Sequence, residues 1–133
     1  MKYVIDASVA LSWCFPDEKS NQADDILLNL IHYGAVVPSI WWYEIRNVFI
    51  VGERKNRIKQ EETKEFLYRL SRLPIELDNS PLSDLTINLA KKHNLTIYDA
   101  AYLELAHRRE FKLVTLDKAL QKAARKEKVS VFY

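Results

Sequence analysis

The spacing of apolar positions along the chain switches repeatedly between short unbroken runs and helical periodicity. Short runs rich in aliphatic residues at 3–5, 35–37, 75–78, 112–115 and 129–132 predict strands. Between them, apolar residues three and four positions apart predict helices at 8–15, 17–33, 39–54, 60–72, 80–93, 98–109 and 118–126. Strands separated by helices pair in parallel with right-handed crossovers. The pattern therefore predicts an α/β fold, a three-layer α/β/α sandwich around a central parallel sheet of four or five short strands, as one domain spanning residues 1–133.

Composition is that of an ordinary globular domain, with 48% hydrophobic and 29% charged residues in 133. No apolar run approaches the roughly 20 residues needed to span a bilayer. The apolar run before Asp6 is too short for a signal peptide. Cys14 is the single cysteine, so no internal disulfide can form. We expect a cytoplasmic protein with a buried, unreactive thiol and no membrane association.

Two carboxylates follow predicted strands directly. Asp6 ends the first run and precedes Ser8, which we expect to cap the next helix, and Asp117 follows the strand at 112–115. Open α/β sheets bind their ligands at the carboxyl ends of the strands. An ordinary turn or capping aspartate is the competing interpretation of each residue alone.

Glu44 lies in the middle of a helix whose other positions are apolar almost all round. Such a helix is expected to be buried on several sides, and a carboxylate buried there costs several kcal/mol unless cations or donors meet it. Asn47 shares its face one turn on. The alternative is a partly exposed glutamate paired with Arg46 or a later lysine. The same helix carries more apolar surface than a small core can bury, which predicts a homodimer; the residues concerned are Trp41, Trp42, Tyr43, Phe49 and Ile50.

Asp99 opens a predicted helix, where either capping or a functional role would suit a carboxylate. Four carboxylates meeting at one sheet edge (Asp6, Glu44, Asp99 and Asp117) would repel, and a divalent cation is the simplest resolution. Oxygen ligands favour Mg²⁺ or Mn²⁺. Zinc is not expected, because the three histidines have no paired spacing and no cysteine partners.

Positive charge is concentrated near the C-terminus although the net charge is only +2. Between residues 108 and 128, eight basic side chains against three acidic ones leave an excess of +5. Lys118, Lys122, Arg125 and Lys126 are spaced to share much of one helix face, which predicts an RNA-binding surface close to the acids. A solvated helix face with no partner is the alternative.

Four segments, 4–8, 38–48, 98–102 and 115–117, resemble in order and spacing the PIN-domain family, and more narrowly the VapC-type toxin ribonucleases of toxin–antitoxin pairs. The resemblance implies a PIN-like fold in which Asp6, Glu44, Asp99 and Asp117 hold Mg²⁺ or Mn²⁺ and carry out endonucleolytic RNA cleavage. It places Ser8, Asn47 and Thr115 at supporting polar positions, and it implies a cognate antitoxin and a homodimer. Asn56 stands where relatives tend to carry glycine, a departure at a helix end rather than in the chemistry.

Two other classes fit the pattern less well. A receiver-type phospho-acceptor domain needs an acidic pair after its first strand, but Ala7 follows Asp6 here. A non-catalytic PIN-like binding module would be expected to lack one or more of the acids, and all four are present.

Overall fold

The computed structural model describes residues 2–15, 21–80 and 84–132. The strands in this part of the chain are β1 (Tyr3–Ile5), β2 (Ala35–Pro38), β3 (Ile75–Asp78) and β4 (Lys112–Val114). The helices are α1 (Ala7–Ser12), α2 (Asn21–Tyr33), α3 (Ile40–Arg54), α4 (Gln60–Ser71), α5 (Asp84–His93), α6 (Ile97–Arg109) and α7 (Lys118–Lys126). The predicted alternation of strands and helices is confirmed.

The four strands form one parallel sheet in the order β3-β2-β1-β4. β1 is therefore central although it comes first, with Tyr3 opposite Ala35 on one side and Ile5 opposite Val114 on the other. Every residue of β1 and β2 is buried, which agrees with their unbroken apolar sequences. Helices cover both faces, and the α/β/α sandwich of the prediction is confirmed.

Small side chains allow α6 to lie close to the middle of the sheet. Ala100 and Ala101 are buried, and α6 contacts β1, β2 and β4. Two predicted helix ends also have the expected backbone. Gly34 takes φ +75° and its N–H donates to the Leu30 carbonyl at 2.7 Å, and Asn56 takes φ +58°.

Three local predictions were wrong. Asp6, not Ser8, caps α1, because its side chain accepts the Val9 N–H. The predicted last strand is reduced to an isolated bridge between Leu113 and Val131. The helix expected at 98 begins at Ile97 and has Thr96 as its cap. The predicted helix signals at Pro16, Asp17, Pro81 and Ser83 lie outside the described residues.

α3 is less enclosed than its sequence suggested. Trp41 and Phe49 are buried, whereas Trp42 is 41% exposed, Tyr43 64% and Ile50 46%. The apolar excess predicted for this helix therefore reaches the surface on one side. Among the helices of the described residues, none combines the length and the apolar character that crossing a membrane requires.

Candidate active site

Asp6 lies at the carboxyl end of the central strand, and its side chain is fixed from several directions. Its backbone N–H donates to the Val114 carbonyl at 3.1 Å, which ties the residue to the neighbouring strand β4. One carboxylate oxygen, Oδ1, accepts the Ser8 hydroxyl at 2.5 Å and the Val9 N–H at 3.3 Å. The other, Oδ2, accepts the Thr115 hydroxyl. The carboxylate therefore has a single, well-defined orientation.

Burial governs the charge of Asp6, which is only 6% exposed. Loss of solvation raises its pKa to about 6. Its hydrogen bonds to Ser8, Thr115 and the Val9 N–H oppose this rise, and the negative charge of Asp99 adds to it. Asp6 is thus a carboxylate held in a place where ionisation is costly.

Ser8 and Thr115 also connect the segment that carries Asp6 to the segment that carries Asp117. The Ser8 hydroxyl accepts the Leu116 N–H at 3.3 Å, and Thr115 Oγ1 accepts the Asp117 N–H at 3.0 Å. Neither hydroxyl caps the helix that follows it, since Asp6 and Asp117 occupy those positions. Both instead hold the loop after β4 against Asp6.

Glu44 is half-buried on α3 and points towards α6. Its Oε1 accepts the Tyr102 hydroxyl at 2.6 Å. Desolvation raises the pKa of Glu44, and the charge of Asp99 adds to this, while the bond from Tyr102 opposes it. No pairing of Glu44 with Arg46 is present; the Arg46 guanidinium donates to the Trp42 carbonyl and stacks over the Trp42 ring.

Asp99 lies in the first turn of α6 and does not cap it. The Thr96 hydroxyl accepts the Asp99 N–H at 3.1 Å, so the cap is supplied by another residue. Partial burial raises the pKa of Asp99, and the charge of Asp117 raises it further. A hydrogen bond between the Thr96 side chain and the Asp99 carboxylate opposes this rise in pKa, so the cap residue engages the carboxylate although Asp99 does not itself cap the helix.

Asp117 is the exposed member of the group and does cap a helix. Its Oδ1 accepts the N–H groups of Ala119 and Leu120 at 2.8 and 3.1 Å. These bonds engage one carboxylate oxygen and leave the other clear of α7.

The four acids come from four different elements and are coupled through Asp99. Its charge raises the pKa of Asp6 and of Glu44, and its own pKa is raised by Asp117. Like charges brought together in this way make the site a place where a cation is favoured.

Comparison with known proteins shows to which family the chain belongs. The family model of the PIN domain matches residues 3–126. The chain belongs to the PIN domain family. Ribonuclease VapC3 from Pyrobaculum aerophilum is 34% identical over 128 residues, which cover 90% of this chain and 92% of that protein.

Solved structures with low sequence identity share the fold of this PIN domain. PAE2754 from Pyrobaculum aerophilum matches with a TM-score of 0.70 at 20% identity, covering 98% of this chain and 88% of that one. A toxin–antitoxin complex from Klebsiella pneumoniae matches with a TM-score of 0.61 at 15% identity, covering 87% of each chain.

The donor set of this PIN domain suits a hard cation, because all four side chains offer carboxylate oxygens. Within residues 2–15, 21–80 and 84–132, however, no three His, Cys, Asp or Glu side chains are gathered tightly enough to hold a metal ion. The four carboxylates are therefore the type of ligand that fits Mg²⁺ or Mn²⁺. In this structure they lie apart from one another and repel each other.

The remaining predicted residues lie on two of the helices that carry the acids or follow them. Asn47 is exposed on α3, one turn from Glu44. The predicted basic residues all lie exposed on α7, which begins at Asp117: Lys118, Lys122, Arg125 and Lys126. The acids and the basic helix are thus continuous in the fold.

Tyr102 is a site residue that the sequence analysis missed. Its side chain is 1% exposed. Burial is the main cause of its raised pKa, and the hydrogen bond to Glu44 adds to it, so the hydroxyl remains protonated and donates. It stands three positions after Asp99 on the same helix, so the two face the same side. The sequence feature that could have identified Tyr102 is a tyrosine at that spacing from Asp99 in a helix rich in alanine and leucine.

Proposed function

We propose that this PIN domain is a metal-dependent endoribonuclease and the toxin component of a toxin–antitoxin pair, formed as one nuclease domain over residues 1–133. The observation that carries the proposal is the coupling of Asp6, Glu44, Asp99 and Asp117 at the carboxyl edge of the sheet. The 34% identity to a protein named Ribonuclease VapC3 supports RNA as the substrate.

Asp6, Glu44, Asp99 and Asp117 would hold Mg²⁺ or Mn²⁺. When bound, such an ion supplies positive charge that acidifies the attacking water and stabilises charge developing on the phosphate. In the cleavage, the water oxygen forms a bond to phosphorus while the bond from phosphorus to the leaving ribose oxygen breaks. The water loses a proton and the leaving oxygen gains one.

The chain's own residues contribute orientation and charge. Ser8 and Thr115 lock Asp6, so the deepest carboxylate does not have to reorganise during the reaction. Tyr102 holds Glu44 in the same way. Asp99 and Asp117 complete the negative site on its open side, and Asn47 lies at its edge.

The RNA strand is proposed to follow α7. Lys118, Lys122, Arg125 and Lys126 offer four exposed cations on a helix that starts at the acidic site. Cations placed there would hold the phosphates on either side of the cleaved bond and offset their repulsion by the carboxylates.

Two protein partners are proposed as well. A cognate antitoxin is supported by the shared fold with a protein from a toxin–antitoxin complex. A second copy is supported by the exposed apolar residues Tyr43 and Ile50 on α3. A monomer mass by light scattering at tens of micromolar would contradict the dimer. We place the protein in the cytoplasm, where its single thiol and its RNA substrate are both expected.

Incubation of the purified protein with total cellular RNA tests the proposed function. We expect cleavage in Mg²⁺ or Mn²⁺, none in excess chelator, and restored cleavage when the ion is added back. The Asp99→Asn variant, purified in parallel, controls for contaminating nuclease, and mapping of the new RNA ends gives the sequence preference. Equal cleavage by parent and variant, or full activity in chelator, would contradict the proposal.

A further inference from the structure

In the part of the chain that the structure describes, strand β3 forms one edge of the sheet and has β2 as its single neighbour. The Pro74 carbonyl accepts the Ala35 N–H at 2.9 Å, and Ala35 is the register partner of Ile75. In a parallel pair the backbone groups of alternate residues face the neighbour. The backbone groups of Glu76 and Asp78 therefore face β2, and those of Ile75 and Leu77 face outward.

A groove lined by apolar side chains together with Arg46 and Ser71 runs beside this open edge. It encloses about 170 Å³ and lies between α3, α4 and β3, with Ile75 and Leu77 on the strand side. Leu77 is 38% exposed, and Trp42 forms part of the opposite wall. Arg46 fixes this wall, because its guanidinium lies 3.6 Å from the centre of the Trp42 ring and donates to the Trp42 carbonyl.

The other face of β3 is acidic. Side chains alternate along a strand, so Glu76 and Asp78 lie opposite to the groove side. Asp78 is engaged by Arg108 at 2.7 Å. Among the described residues, the one ion-pair partner of Glu76 is the exposed Lys2 amine at 3.4 Å, a contact that a competing cation could replace at little cost.

We propose that this edge, defined as β3 with its groove, binds an extended segment of a partner polypeptide in which two apolar residues flank a basic one. The segment would add a fifth strand through the Ile75 carbonyl and both backbone groups of Leu77, since the Ile75 N–H already donates to the Leu73 carbonyl at 2.8 Å. The two apolar side chains that flank the basic residue would enter the groove. The basic side chain, on the opposite face of the segment, would pair with Glu76 across the strands. Such a partner is independent of the proposed RNA cleavage, since the edge lies two strands away from Asp6 in the sheet.

A second copy of this chain is a poor occupant. Antiparallel pairing of two β3 strands about a two-fold axis at Glu76 sets Glu76 against Glu76. Pairing through Leu77 sets Glu76 against Asp78. Either register places like charges directly opposite, which is destabilising. Pairing through Ile75 fails because its N–H already donates to the Leu73 carbonyl at 2.8 Å.

A fluorescent peptide with a Val-Lys-Val centre and two threonines on each side is the test ligand, and binding is measured by anisotropy. The matched peptide has Val-Glu-Val at its centre. We expect the lysine peptide to bind the parent protein at least about tenfold more tightly, since Glu76 then meets an opposite charge rather than a like one. Glu76→Lys should reverse this order of preference.

Leu77→Pro removes the outward N–H, and proline is tolerated on an edge strand. Leu77→Ala keeps that N–H and is its control. We expect the proline variant to bind at least about tenfold more weakly than the alanine variant. Unaltered melting and RNA cleavage would show that the fold persists in both.

Equal binding of the two peptides, absence of binding, or binding that survives Leu77→Pro would overturn the proposal. So would a parent dimer that becomes a monomer in Leu77→Pro, because the edge would then belong to a second copy.

Discussion

Ionisation of Asp6 should make the metal-free protein less stable as the pH rises. The pKa of Asp6 is about 6 in the folded chain against an ordinary value of 3.8, so the folded state binds this proton more tightly than the unfolded state. A group with a raised pKa stabilises the fold where it is protonated, and that stability is lost as the pH rises towards the folded pKa. This difference in pKa between the folded and unfolded states corresponds to about 3 kcal/mol in the free energy of unfolding. Most of this loss falls between about pH 4 and pH 6.

Asp6→Asn is the matched variant, because asparagine caps a helix as well as aspartate and carries no charge. We expect urea unfolding in chelator to give similar stabilities for the two proteins near pH 4. Near pH 7.5 the variant should be more stable by about 3 kcal/mol. Glu44 and Asp99, whose pKa values are also raised, should produce a parallel decline in both proteins. Stability curves that stay parallel across this range would refute the assignment of the penalty to Asp6.

Three further predictions concern activity. Asp99→Asn should abolish cleavage, while the metal-free fold should remain as stable or become up to ~1 kcal/mol more stable because repulsion is relieved. The variant should also show a smaller Mg²⁺-induced rise in melting temperature. An active variant with the full rise would contradict a role for this carboxylate. Tyr102→Phe should lower kcat and weaken Mn²⁺ binding measured by calorimetry, because the α3 carboxylate loses its donor; unchanged Mn²⁺ affinity would limit the hydroxyl to a structural role. Changing Lys122, Arg125 and Lys126 together to Gln should weaken RNA binding and flatten its dependence on salt, and an unchanged salt slope would place the RNA elsewhere.

The sequence was most informative where one local pattern decided the structure. The unbroken run before Asp6 predicted a buried strand, and the two residues Gly34 and Asn56 predicted left-handed helix ends that the structure contains. Strand order could not be predicted, because the pairing of β1 with β4 depends on contacts more than 100 residues apart in the chain.

Local patterns were least informative for side chains with two possible roles. Whether Asp99 caps α6 could not be predicted from the sequence, because the cap is Thr96, whose hydroxyl accepts the Asp99 N–H. Tyr102 was missed for a related reason, since its role exists only when α3 and α6 lie side by side and its hydroxyl meets Glu44.

The central position of the first strand has a consequence for synthesis. Thr115, which fixes Asp6, follows it by 109 residues, so the two can meet only after the whole segment between them has been translated. A nascent chain emerging from the ribosome carries Asp6 and Glu44 long before it carries Asp99 and Asp117. The four carboxylates that we propose to act together are therefore complete only once Asp117 has been synthesised, and a nascent chain that stops before it lacks part of the proposed cleavage site.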